Sequence, residues 1–397
     1  MATNTHRRHK KYPISKQVKR IPPSGIRRFF DLLASIEGVI SLGVGEPDFP
    51  TPWHIREAAI SSLEQGYTMY TSNLGMPELR QELSLYLKNN YDLEYDPDSE
   101  LLITVGVSEA LDLAMRAILN PGDAVIVPDP HYVSYDACVI LAGGTPVKVP
   151  TNPESNFELS AADIEARVTG KTRAILIGYP ANPTGAVMSQ EKLSQLAEVA
   201  RRHNLLVISD EIYAKLVYGV DHTCVAALPE MRENTVLLGG FSKAYAMTGW
   251  RVGYAAADRE IIAAMTKIHQ YTMLCAPIMG QEAAIEALKS GEDSVTEMVE
   301  EYNRRRLVIV KGLNDIGLPC FEPQGAFYAF PSIKGTGMTS EEFAEKLLLE
   351  EKVAVVPGSA FGQCGERYVR CCYATSLADI EEALARMKRF MAKYQKI

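Results

Sequence analysis

The chain has 397 residues, 47% of them hydrophobic and 23% charged, with a formal net charge of −8 and a pI near 5.5. That length allows two or three domains with ample core, and the acidic balance argues against nucleic acid or an anionic membrane surface as partner. No apolar run approaches the roughly 20 residues a membrane span needs, and seven cysteines without a Cys-x-x-Cys pair fit free thiols in a reducing cytosol, so a cytoplasmic protein is expected.

Residues 1–24 read as a solvated tail, basic at His6-Arg7-Arg8-His9-Lys10-Lys11 but without the apolar segment of a signal peptide. Residues 25–47 form an arm, partly helical from Ile26 to Leu33, that runs into a loop dense in Gly and Pro from Ser41 to Pro50. In that loop Gly43 and Gly45 let backbone approach a ligand closely. Helical periodicity from Trp53 to Gln65 precedes Tyr70, and Pro77 suits the first turn of the next helix. A tyrosine at such a place serves packing or a ligand.

A repeated pattern follows: a short apolar run, a polar or Gly turn, then a helix. Leu101–Val105 ends at Gly106, and Val107 and Ser108 open a helix. Ala124–Val127 leads to Tyr132, Ala174–Ile177 to Asn182, Leu205–Ser209 to Asp210 and Tyr213, and Thr235–Leu238 to Ser242 and Lys243. Continuous apolar runs alternating with helices predict an α/β fold with a parallel sheet covered on both faces. Ligands of such sheets bind at the carboxyl ends of the strands. The unusual polar residues all fall just past a run, so one convergent site is expected.

After Gly280, helical stretches from about Gln281 to Ser290 and from Ser294 to about Asn314 lead into a smaller α+β region. It contains Gln324–Phe330, Val353–Gly358 and Tyr368–Tyr373, and a helix from Asp379 to about Met391 closes the chain. The seven cysteines form no Cys-x-x-Cys pair, which suits free thiols, and no Cys/His spacing suggests a metal.

Several of these residues imply chemistry. Gly106 to Ser108 place amides and a hydroxyl at a helix N-terminus, either a plain cap or an anion site. Asp210 follows a buried run, where an unpaired carboxylate is costly and a cation is wanted. Arg370, inside an apolar and aromatic run, calls for an anion, either a structural carboxylate or a ligand. Lys243 and Arg251 lie eight residues apart among small and apolar neighbours. A lysine so placed loses hydration and its neutral amine can attack a carbonyl, while the arginine fork suits a phosphate. Pyridoxal phosphate requires both; the alternative is a pair of solvated surface cations.

The stretch Ser242-Lys243 through Gly249-Trp250-Arg251-Val252-Gly253 resembles the lysine signature of the class I (fold type I) aminotransferases. Further segments resemble the same family in order, over roughly residues 25 to 395: Gly43 to Phe49, Tyr70 to Arg80, Asn182 to Gly185, Asp210 to Tyr213, and Tyr368 to Arg370. The resemblance implies a large domain, 48–285, with a mostly parallel seven-stranded sheet between helices. A small α+β domain, 286–397, would be joined by the arm of 25–47.

It also implies the site roles. Lys243 would carry the cofactor as an imine and then move the substrate's Cα proton. Asp210 would face the pyridine nitrogen, Tyr213 and Asn182 the ring hydroxyl oxygen, and Tyr132 would stack on the ring. Val107, Ser108, Arg251, Tyr70 from a partner subunit and, more weakly, Ser242 would hold the phosphate. Many relatives place their phosphate serine where this chain has Gly240. Gly43, Asn182 and Arg370 would bind the substrate carboxylate. The implied enzyme is a homodimeric L-amino acid:2-oxo acid aminotransferase with a ping-pong mechanism. The stretch Ile268–Pro277 lacks the arginine that one subgroup uses for aspartate, which tilts the donor toward aromatic or broad-range amino acids. Aspartate and alanine are further candidates, and 2-oxoglutarate is the expected acceptor. A C–S β-lyase of the same fold shares Lys243, Asp210 and Arg370 and is the alternative.

Overall fold

In the computed structural model residues 12–22 and 36–394 are described. The basic tail through Lys11 and the helix expected from Ile26 to Leu33 lie outside them.

The five apolar runs become strands of one seven-stranded sheet. In chain order its strands are β2 (Leu101–Thr104), β3 (Ala124–Asp129), β4 (Thr145–Pro150), β5 (Thr172–Ile177), β6 (Leu206–Asp210), β7 (Thr235–Gly240) and β8 (Gly253–Ala256), after a short β1 (Ile40–Ser41) elsewhere. The spatial order is β2-β8-β7-β6-β5-β3-β4. The pairings β4/β3, β3/β5, β5/β6 and β6/β7 are parallel, and β8 is antiparallel to both its neighbours. The mostly parallel α/β architecture is therefore present.

Two of the seven strands were not among the apolar runs. β4 is an edge strand, only Val149 of it fully buried, with two prolines and a lysine. Edges tolerate such residues, and no continuous apolar run results. β8 is too short and glycine-bearing to stand out, and it begins inside the lysine motif.

Alternate residues of the buried strands feed opposite cores. Leu102, Val125, Leu176, Ile208 and Leu238 pack with Leu111 and Met115 of the helix Val107–Ile118 and Met265 of the helix Arg259–Thr272. On the other face Ile126, Ile175 and Val207 meet Leu193 and Leu196 of the helix Gln190–Arg202. Leu101, Ile103 and Leu237 on that face meet Ile55, Leu79 and Leu83 from the helices Trp53–Glu64 and Pro77–Tyr91. Each such leucine or isoleucine contributes about 1.5–3 kcal/mol by burial. Cutting one, such as Ile208, to alanine costs about 2–5 kcal/mol.

The run Val353–Gly358 does not form one strand. β10 (Val353–Ala354) pairs in parallel with β1, and β11 (Val356–Pro357) belongs to a three-stranded antiparallel sheet with β12 (Val369–Cys372) and β9 (Tyr328–Ala329). Through β1 the segment just before the Gly/Pro loop is tied to the C-terminal part of the chain. The helix Leu377–Tyr394 packs there through Ile380, Met387 and Phe390.

The carboxyl ends of β2, β3, β5, β6 and β7 all open on one edge of the large sheet, and β8 starts from the same edge. Among the described residues no helix is long and apolar enough to cross a membrane.

Candidate active site

At that edge lies a cavity of about 320 Å³, lined by residues from each strand end, from the Gly43–Gly45 loop and from Tyr328 and Arg370. Of the residues singled out in the sequence, Gly43, Val107, Ser108, Tyr132, Asn182, Asp210, Tyr213, Ser242, Lys243, Arg251 and Arg370 all line it. Tyr70 does not. It is 80% exposed on the surface of its own chain.

Lys243 follows the end of β7 and donates from Nζ to the Gly45 carbonyl at 2.8 Å. A neutral carbonyl is its only hydrogen-bond partner among the described residues, so burial dominates and lowers the amine to about 8. The alternative of a solvated surface lysine is thereby removed.

Asp210 ends β6 as a buried carboxylate. The Tyr135 hydroxyl donates to Oδ2 at 2.9 Å and the Ile212 amide to Oδ1 at 3.3 Å. Burial raises it to about 6 despite those donors. No cation pairs with it among the described residues, so it is an acceptor in want of a positive ligand.

Arg370, in β12, is 4% exposed. It donates from Nη1 to Asn182 Oδ1 at 2.9 Å and from Nη2 to the Gly43 carbonyl at 2.7 Å, while Nε has no partner among the described residues. None of these acceptors carries charge. The structural salt bridge weighed from the sequence is therefore absent among the described residues, and a buried guanidinium without counter-charge favours an anionic ligand. Asn182 precedes a cis bond to Pro183. The Gly43 amide is turned toward Ser41 Oγ at 3.3 Å.

The helix Val107–Ile118 opens at Gly106, with no side chain capping it. Its free amides face the cavity beside Arg251. A Cβ on Gly106 would stand 2.5 Å from Arg251 Nη2, and one on Gly253 would stand 2.6 Å from the Val107 amide nitrogen. Gly253 is thus required by the backbone it meets at the helix start, and Gly106 by its left-handed φ of 74°. Arg251 has a left-handed backbone (φ 57°) and donates to the Thr248 carbonyl at 2.9 Å, leaving its remaining donors for an anion. Glu109 is occupied elsewhere: it accepts from the Val105 amide at 2.5 Å and meets His269 Nδ1 at 2.6 Å.

Tyr213 and Tyr328 share a hydroxyl–hydroxyl bond of 2.7 Å. Tyr132 lies edge-on to Tyr135 at 5.7 Å. Tyr135 and Tyr328 were missed from the sequence. Tyr135 lies three residues after Tyr132, at the start of the helix Ser134–Leu141, where nothing separates it from a packing tyrosine. Tyr328 sits in an aromatic run that reads only as a strand. No residue of Ile268–Pro277 lines the cavity of its own chain.

The cavity thus gathers three cations and one carboxylate, none in an ion pair among the described residues. Its excess positive charge suits a ligand carrying two anionic groups, one at each end, and a cationic one near Asp210.

The family model of aminotransferase class I and II matches residues 37–387. The chain is 60% identical over 380 residues to YugH of Bacillus subtilis (strain 168), named only provisionally as an aminotransferase, covering 96% of this chain and 98% of that one. It is 46% identical over 381 residues to the aspartate aminotransferase of Pyrococcus abyssi, at 95% and 98% coverage. The crystal structure of an aromatic aminotransferase from Pyrococcus horikoshii OT3 superposes with a TM-score of 0.88 at 45% identity, covering 93% of this chain and 99% of that one. These relatives give a C–S β-lyase no support. The chain belongs to the class I and II aminotransferase family, with the α/β architecture of its fold type I members.

Proposed function

We propose that the protein is a pyridoxal-phosphate-dependent L-amino acid:2-oxo acid aminotransferase that works by ping-pong exchange. The donors are aromatic or broad-range amino acids and the acceptor is 2-oxoglutarate. One observation carries the proposal: a partly buried lysine of lowered basicity, a buried unpaired carboxylate and a buried unpaired guanidinium line one cavity.

The residues present fit the cofactor. The uncapped amides at Val107 and Ser108, with Ser242 and Arg251, form a cradle for its phosphate. Asp210 offers the buried negative charge a protonated ring nitrogen needs, Tyr213 and Asn182 offer donors for its ring oxygen, and Tyr132 an aromatic face. Bound there, pyridoxal phosphate supplies an aldehyde that takes up the amino group and a ring that accepts the electrons released at Cα.

The chain's own residues do the rest. Arg370 takes the α-carboxylate and fixes which Cα bond stands ready to break. Lys243, titrating near 8, takes the proton from the substrate Cα and returns it from the same amine. Asp210 stays ionised once a cation lies against it, since opposite charge offsets its burial. The exposed Tyr70 fits a role across a homodimer interface, where it would reach the partner's phosphate site.

Relatives at 46% and 45% identity carry aspartate and aromatic names, and one at 42% an N-acetyl-LL-diaminopimelate name. The donor preference therefore rests on the arginine-free Ile268–Pro277. A panel of twenty amino acids with 2-oxoglutarate, reading glutamate, tests the proposal. Aromatic donors should lead, and glutamate formed from aspartate alone would overturn the preference.

A further inference from the structure

Tyr328, not among the residues named from the sequence, touches several parts of the cavity's machinery. It is 1% exposed, and its hydroxyl lies 2.7 Å from that of Tyr213. The face of its ring lies under the Arg370 guanidinium, whose central carbon is 4.4 Å from the ring centroid. The same hydroxyl crowds Gly45, where a Cβ would stand 2.5 Å from it. Gly45 is the residue whose carbonyl accepts from Lys243. One side chain therefore abuts the ring-oxygen donor, the carboxylate fork and the seat of the lysine.

The two ends of Tyr328 do different work. A phenol has one proton to donate. If Tyr213 directs its proton at the cofactor's ring oxygen, the proton in the Tyr–Tyr bond must come from Tyr328. A donor behind Tyr213 polarises its O–H and strengthens what it gives forward. Both phenols are buried, and burial holds each well above the ordinary tyrosine range, so neither ionises in the working pH interval. At the other end the ring supplies the nearer of two negative π-faces on the guanidinium, at 4.4 Å against 5.0 Å for Phe361; this matters because among the described residues the Arg370 acceptors are neutral and Nε has none.

We propose that Tyr328 is a positioning residue with two separable functions: its hydroxyl sharpens Tyr213 as a donor to the cofactor's ring oxygen, and its ring holds Arg370 ready for the substrate carboxylate. This rests on the aminotransferase reading above.

The test uses the holoenzyme and two variants. Tyr328→Phe keeps the ring and removes the hydroxyl; Tyr328→Leu removes both. The first readout is the pH midpoint of the visible absorbance of the cofactor linked to Lys243. A weaker donor leaves the ring oxygen's negative charge less stabilised and the adjoining nitrogen more basic, so the midpoint should rise by roughly half to one pH unit in both variants. The second readout is the dissociation constant of a non-reacting carboxylate, 3-phenylpropionate, from its effect on the same spectrum. It should stay within about twofold of wild type in Tyr328→Phe and weaken roughly tenfold in Tyr328→Leu. An unmoved midpoint in Tyr328→Phe overturns the hydroxyl function. Equal carboxylate weakening in the two variants, or none in either, overturns the ring function. Should Tyr328→Leu fail to fold, Tyr328→Met takes its place as the variant without a ring, and the same comparison with Tyr328→Phe decides. A wild-type protein with no lysine-linked chromophore would overturn the cofactor reading itself, an outcome distinct from normal wild type with indifferent variants.

Discussion

Lys243 should be the most reactive amine of the cofactor-free protein, and the structure says by how much. Its basicity is lowered from 10.5 to about 8, chiefly by burial. At pH 7 an amine at 8 is neutral roughly one time in ten, and one at 10.5 roughly three times in ten thousand. A less basic amine is intrinsically less nucleophilic, so the net advantage over a surface lysine is on the order of tenfold to a hundredfold. Apoprotein should be treated with pyridoxal 5′-phosphate at pH 6 to 10.5, trapped with borohydride and mapped by peptide. The trapped group should appear on Lys243, with a rate that levels off above about pH 8.

The same shift has a cost in stability, and its sign is fixed. Below pH 8 Lys243 is protonated in both folded and unfolded states, so the full penalty of the buried charge is present. Between 8 and 10.5 the unfolded chain holds a proton that the folded one has released, and stability rises with pH. Lys243→Met apoprotein should therefore be more stable than wild type at pH 7 by on the order of 1–3 kcal/mol, a gap that closes by pH 10.5. A trapping rate still climbing at pH 10, or a stability gap indifferent to pH, would refute the reasoning.

Asp210→Asn should keep the fold, since Tyr135 can still donate to an amide oxygen, yet lose several powers of ten in the amino acid half-reaction. Near-normal single-turnover rates would place the counter-charge elsewhere. Arg370→Lys should raise the KM of every amino acid by about 10- to 100-fold whatever its side chain, because lysine cannot make paired bonds to a carboxylate. A loss confined to dicarboxylic substrates would move Arg370 to the distal end of the pocket. Tyr70→Ala, impaired alone, should recover about half of wild-type activity when paired with Lys243→Ala in an isolated mixed dimer, as one of two sites is then whole. No recovery would mean that Tyr70 acts within its own chain.

The site was legible where burial and chemistry conflict. Asp210, Lys243 and Arg370 are charged residues at the ends of, or inside, apolar runs, and such a conflict is visible without coordinates. Asn182 and Ser108 were legible through their place after a strand. Tyr135 and Tyr328 carry no such conflict, because a tyrosine is at home in a core whether or not its hydroxyl meets a carboxylate or another phenol. The sheet followed the same rule. β3, β5, β6 and β7 are buried on both faces and show as unbroken runs, while β4 is half solvated and β8 is short. The division of Val353–Gly358 between two sheets depends on long-range pairing with β1 and β12, which no local pattern encodes.

The excursion between β7 and β8 has a consequence for how this chain can vary. Gly239 pairs with Tyr254 and Gly240 with Gly253, so the segment that carries Lys243 and Arg251 is closed at its base like a clasp. Its ends are pinned by backbone, and its far side is held where Thr51 Oγ1 accepts from Trp250 Nε1 at 2.9 Å and donates to the Ala246 carbonyl at 2.6 Å. Individual side chains inside the clasp can be exchanged without moving its base. An inserted or deleted residue cannot be absorbed, because it would shift the lysine against the arginine or unzip the ladder. Length, more than composition, is the constrained quantity there, and single-codon insertions scanned along the gene should be tolerated in the exposed turn at Gly219 but eliminated throughout residues 241–252.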